Sequence, residues 1–180
     1  LQMGQIIGPI DVPSGSNYVI DLYDASNPEA LLASLPLLSL ENRVSYLAIL
    51  VPAAAEDEFT NVYVFAGSTR LLADEVYARF INVATNTGAL KVTLNEQTQF
   101  ERLTTGVSDV IPLSVQGVRM NLTNEAGQMV NSVVLGPWAA EGERMSDKII
   151  VLYDNPAETR IPVGAIAYSM NAPRSAINAN

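Results

Sequence analysis

Leu90-Lys91-Val92-Thr93-Leu94-Asn95 alternates apolar and polar residues without a break. A β-strand points successive side chains to opposite faces, so this stretch puts Leu90, Val92 and Leu94 inward and Lys91 and Thr93 outward. A helix of the same residues would scatter the apolar groups around its circumference. Arg119-Met120-Asn121-Leu122-Thr123 repeats the alternation further along the chain.

Outward from these two segments, short runs of the same kind recur, divided by Gly, Pro, Asn and Asp clusters. They cover approximately Gly4–Ile10, Asn17–Tyr23, Arg43–Val51, Thr60–Ala66, Tyr77–Ala84, Ala89–Asn95, Val110–Thr123, Gln128–Gly136, Lys148–Tyr153 and Arg160–Ser169. Closely spaced strands bounded by turn residues predict an all-β fold, an antiparallel β-sandwich of about eight to ten strands. Thr85-Asn86-Thr87-Gly88 is expected to turn a hairpin from Tyr77–Ala84 into Ala89–Asn95, with Gly88 free to take positive φ. Asn124-Glu125-Ala126-Gly127 is expected to do the same between Val115–Thr123 and Gln128–Leu135. The longer connections Val12–Ser16 and Gly136–Asp147 suit Greek-key crossovers.

One short helix is expected over Glu29–Leu35. Asn27 can cap it, Pro28 fits its first position, Glu29 complements the dipole and Pro36 ends it. From Ser68 or Thr69, the spacing of Leu72, Val76 and Phe80 is helical, but Phe80-Ile81-Asn82-Val83 reads as strand. Residues 1–180 are expected to form one domain with a short N-terminal extension and a C-terminal arm at about residues 170–180, which are small and polar around Pro173.

The chain of 180 residues contains neither histidine nor cysteine. That removes the Ser-His-Asp triad, imidazole acid–base chemistry, thiolate nucleophiles, disulfides and cysteine-based metal sites. Hydrophobic residues make up 48% and charged residues 16%, a composition that favours a packed core over disorder. The longest apolar run, near Ala48–Ala55, is interrupted by Pro52 and falls short of a membrane-spanning helix. No basic region followed by an apolar stretch opens the sequence, so no signal peptide is expected. The net charge of −9, with only Lys91 and Lys148 as lysines and the arginines dispersed, argues against direct nucleic-acid binding.

Carboxylates are the one plausible catalytic resource. Glu56-Asp57-Glu58, Glu141 with Glu143, and Asp154 with Glu158 are the pairs a glycosidase would need, but all fall in or beside expected loops. Calcium is the most credible metal in a chain of oxygen ligands, and Asp21, Asp24 and Asn27 lie close in sequence. A strand-end turn and a cap account for them more simply. No phosphate-cradling glycine motif is present. The expectation is therefore no catalytic residues, no metal and no cofactor. Trp138, in Leu135-Gly136-Pro137-Trp138, is either a partner anchor or, more readily, a cap on the core; with Pro173 and Arg174 it is the candidate interface residue.

The strand rhythm over residues 4–169, together with the arm-like ends, resembles the single jelly-roll coat proteins of icosahedral viruses, including tailless phages with internal membranes. The resemblance implies a jelly-roll sandwich located in a virion, serving as a capsid or decoration subunit. Its partners would be copies of itself or other capsid proteins, without direct nucleic-acid contact. It could lie beside an internal viral membrane without spanning it. A soluble carbohydrate- or receptor-binding β-sandwich is the alternative, and a carboxylate glycosidase a third.

Overall fold

The computed structural model describes residues 15–23, 26–41, 46–52, 59–66, 69–71, 74–138, 144–156 and 160–169. Among them the chain forms strands and no helix. In order these are β1 (Gly15–Tyr23), β2 (Leu31–Leu40), β3 (Tyr46–Pro52), β4 (Phe59–Ala66), β5 (Thr69–Leu71), β6 (Glu75–Asn82) and β7 (Leu90–Leu94). They continue with β8 (Gln97–Leu103), β9 (Gly106–Ser114), β10 (Val118–Thr123), β11 (Met129–Leu135), β12 (Arg144–Ser146), β13 (Lys148–Asp154) and β14 (Val163–Ser169).

Two four-stranded sheets form the sandwich. The first has the order β11-β10-β7-β8 and is antiparallel throughout. The second has the order β14-β13-β6-β9, with β6 and β13 parallel and the other pairs antiparallel. The expected all-β sandwich is present. Jelly-roll connectivity is not confirmed, since the parallel β6–β13 pair departs from an all-antiparallel roll. β1 with β2, β3 with β4, and β5 with β12 form three further two-stranded ribbons.

The main core lies between the sheets. Leu90 and Val92 of β7 and Met120 and Leu122 of β10 meet Phe80 of β6 and Ile150 and Leu152 of β13, all fully buried. Each such side chain contributes about 1.5–3 kcal/mol by leaving water. Phe80 and Phe100 stack edge to face across the gap at 5.7 Å between centroids. A second cluster, on the far side of the second sheet, gathers Ile81, Val83, Ile149 and Val151, with Ile49 of β3, Tyr153 and Tyr168 packed against it.

Three buried polar groups tie this sandwich together. Asn82 Nδ2 donates to the Leu103 carbonyl (3.0 Å), and Asn131 Nδ2 donates to the Val163 carbonyl (2.7 Å). The Asp154 carboxylate accepts from the Thr85 amide (2.7 Å), the Thr85 hydroxyl (3.0 Å) and the Asn86 amide (3.2 Å). The two asparagines join one sheet to the other and Asp154 anchors the segment that crosses between them, so together they fix how the layers sit.

The structure corrects several sequence expectations. The helix over Glu29–Leu35 is absent: Asn27 caps a turn instead, accepting from the Glu29 amide at its side chain (3.3 Å) and from the Ala30 amide at its carbonyl (2.9 Å). From Leu31 the chain is extended and pairs with β1, so tertiary pairing overrides a local cap signal. Pro36 is tolerated because it falls at a register irregularity between the Ile20–Leu35 and Tyr18–Leu38 pairs.

Residues 85–88 do not make a hairpin, because β6 and β7 belong to different sheets. Asp154 holds the crossing segment in place. Val110–Thr123 is two strands, broken at 115–117, where Gly117 has φ +96°. The hairpin at Asn124–Gly127 forms as expected, with the Asn124 side chain accepting from the Ala126 and Gln128 amides. The Gly4–Ile10 segment lies outside the described residues.

Candidate functional site

Of the interface residues expected from the sequence, Trp138 falls among the described residues. Trp138 sits at the edge of the main core, its amide donating to the Val115 carbonyl (2.9 Å). Gly117 and Gly136, both at positive φ, meet back to back just before it; a Cβ on Gly136 would come within 2.8 Å of the Gly117 backbone. That approach lets the chain fold back and lay the indole on the sandwich. The Lys148 ammonium lies 5.4 Å from the ring centroid and donates to Ser169 Oγ (2.7 Å). Lys148 is itself buried, its aliphatic stem packed and its charge held by the ring face and the hydroxyl. Pro173 and Arg174 lie outside the described residues.

Among the carboxylate candidates, Asp154 is buried and committed to residues 85 and 86. Glu56, Asp57, Glu58, Glu141, Glu143 and Glu158 lie outside the described residues. So does Asp24; Asp21 is exposed and Asn27 is engaged in its turn. Among the described residues no group of three or more His, Cys, Asp or Glu is placed to hold a metal ion. No helix of the described residues is long and apolar enough to cross a membrane. Tyr168 titrates above its usual value, raised by burial and by neighbouring Tyr153.

The feature that stands out lies on the β1–β2 ribbon. Val19, Tyr23 and Leu31 are about half exposed, at 50%, 51% and 53%. Tyr23 and Leu31 are direct cross-strand partners, as are Asp21 and Ser34. The Ser34 hydroxyl donates to Asp21 Oδ1 at 2.6 Å. Val19, Asp21 and Tyr23 are alternate residues of one strand and share a face. The result is an apolar ribbon face with one carboxylate in its middle. Beyond the ribbon, β2 also meets β4.

Sequence reasoning missed this face because it assigned the β2 half to a helix. The signal was present: Leu31-Leu32-Ala33-Ser34-Leu35 begins directly after a capped turn and is followed by more leucine beyond Pro36. A run that apolar needs a partner strand or a partner surface, whichever secondary structure it adopts.

No family model, curated protein or solved structure matches this chain. Function has to be argued from the surface itself.

Proposed function

We propose that this protein is a virion structural subunit, a capsid or decoration protein that works by packing against copies of itself or other shell proteins, and not an enzyme. The observation that supports the reading is the β1–β2 ribbon with Val19, Tyr23 and Leu31 half exposed. A two-stranded ribbon is only marginally stable in water by itself, and an apolar face on it favours association. The sandwich, tied by Asn82, Asn131 and Asp154, is the kind of rigid body that repeats well in an assembly. The net charge of −9 favours protein partners over nucleic acid.

A soluble binding module is the second reading, favoured by exposed Tyr23 beside Leu31, an aromatic surface of the sort that takes a ligand.

Light scattering of the purified chain over a concentration series tests the proposal. Growth into defined rings or shells is the expected result, and removal of residues 171–180 is expected to weaken that growth while leaving the thermal midpoint nearly unchanged. A monomer at every concentration overturns self-assembly and moves the binding module to first place.

A further inference from the structure

We infer that the β1–β2 ribbon of one copy seats on the outer face of the first sheet of a second copy, with Asp21 against Arg119. The inference rests on the self-assembly reading and names the two surfaces that meet.

Charge separates the candidates. Residues 1–42 carry Asp11, Asp21, Asp24, Glu29 and Glu41 and no lysine or arginine; every basic residue of the chain lies from Arg43 onward. Two ribbons brought face to face would oppose like charges across an apolar contact, which is unfavourable. A ribbon meeting the body of another copy can bring Asp21 to one of the ten cations there, which stand among fourteen carboxylates, so the contact has to be made at a particular cation.

Two sheet faces are available on that body. The outer face of the second sheet already has Ile49 of β3 packed on its apolar cluster. On the outer face of the first sheet Thr98, Arg119, Ser132 and Val134 are exposed. On it Arg119 and Val134 are direct cross-strand partners, and Val134 is 55% exposed. A cation beside an apolar side chain is the complement of Asp21 flanked by Val19 and Tyr23. Such a contact joins two different surfaces, so it is head to tail: it closes into a ring or runs on as an open filament, and a shell needs further contacts beside it.

Charge exchange tests the pairing, because every copy carries both surfaces. Asp21 and Arg119 are both exposed, so Asp21→Arg and Arg119→Asp leave the core untouched, which circular dichroism checks. Each single variant is expected to weaken association about tenfold or more in the light-scattering series, and the double variant to recover to within about threefold of the parent. Raising salt is expected to weaken the parent contact. An Arg119→Asp protein that assembles like the parent, or a double variant as weak as the singles, overturns this contact while leaving self-assembly standing. A parent chain that stays monomeric overturns both.

Discussion

In the first sheet, Lys91 and Thr93 alternate with buried Leu90, Val92 and Leu94, and Arg119 and Asn121 alternate with buried Val118, Met120 and Leu122. In the second sheet, Lys148 to Leu152 is buried residue after residue. Both sheets have four strands and share one core, so the difference comes from their far sides. The first sheet meets water there, through groups such as the Lys91–Glu101 ion pair (2.9 Å) and the hydrogen bond from Ser132 to Asn121 (2.7 Å). The second meets another apolar layer. Alternation in a sequence therefore reports how many faces of a strand are covered, and its loss marks a strand covered on both.

The comparison is broken most severely by emptying the covered far side. Ile81→Ala, at a fully buried position facing away from the main core, is expected to cost about 2–5 kcal/mol, whereas Thr93→Ala on the open far side stays within about 0.5 kcal/mol. Urea titration of both variants measures the contrast. Equal midpoints would mean that the layer carrying Ile49 gives the second sheet no real cover.

This asymmetry also governs what could be read beforehand. β7 and β10 were legible because one wet face imposes strict alternation, β11 through the glycine turn Asn124–Gly127 that leads into it, and β13 as a continuous apolar run. β8 was missed: Gln97-Thr98-Gln99-Phe100-Glu101-Arg102-Leu103 is an edge strand with only Phe100 and Leu103 turned inward. Its hairpin was missed as well, because the turn is Asn95-Glu96, both at positive φ, without the glycine that announces such a turn. The crossing at residues 85–88 looked like a hairpin because local turn chemistry is blind to which sheet receives the next strand. The ribbon face was hidden because a local cap signal assigned Glu29–Leu35 to a helix, where tertiary pairing with β1 makes the chain extended from Leu31. The absence of reactive histidine and cysteine was legible at once.

A smaller effect sharpens the comparison on the covered side. Tyr153 lies over its cross-strand partner Gly164, and a Cβ there would overlap the phenol ring. Gly164→Ala is expected to destabilise by about 1–3 kcal/mol, read as a lower thermal midpoint. Recovery in a Tyr153→Ala background would locate the cost in that overlap, and no recovery would place it in the backbone.

The smallest effect lies on the open side and has the opposite sign. Glu96 is exposed at φ 68°, a conformation that costs a side chain about 1–2 kcal/mol. Glu96→Gly is expected to stabilise by about 0.5–1 kcal/mol, since relief of that strain exceeds the added freedom of the unfolded chain. A fall in the urea midpoint would show that Glu96 makes a compensating contact.

Trp138 is the single tryptophan of the chain, resting between the edge of the main core and the Lys148 ammonium. The protein thus contains its own optical gauge. Ultraviolet emission from one indole reports whether the two layers are closed on each other, free of any second emitter of its kind, so opening of the sandwich and association of copies can be followed in the same cuvette without attaching a dye.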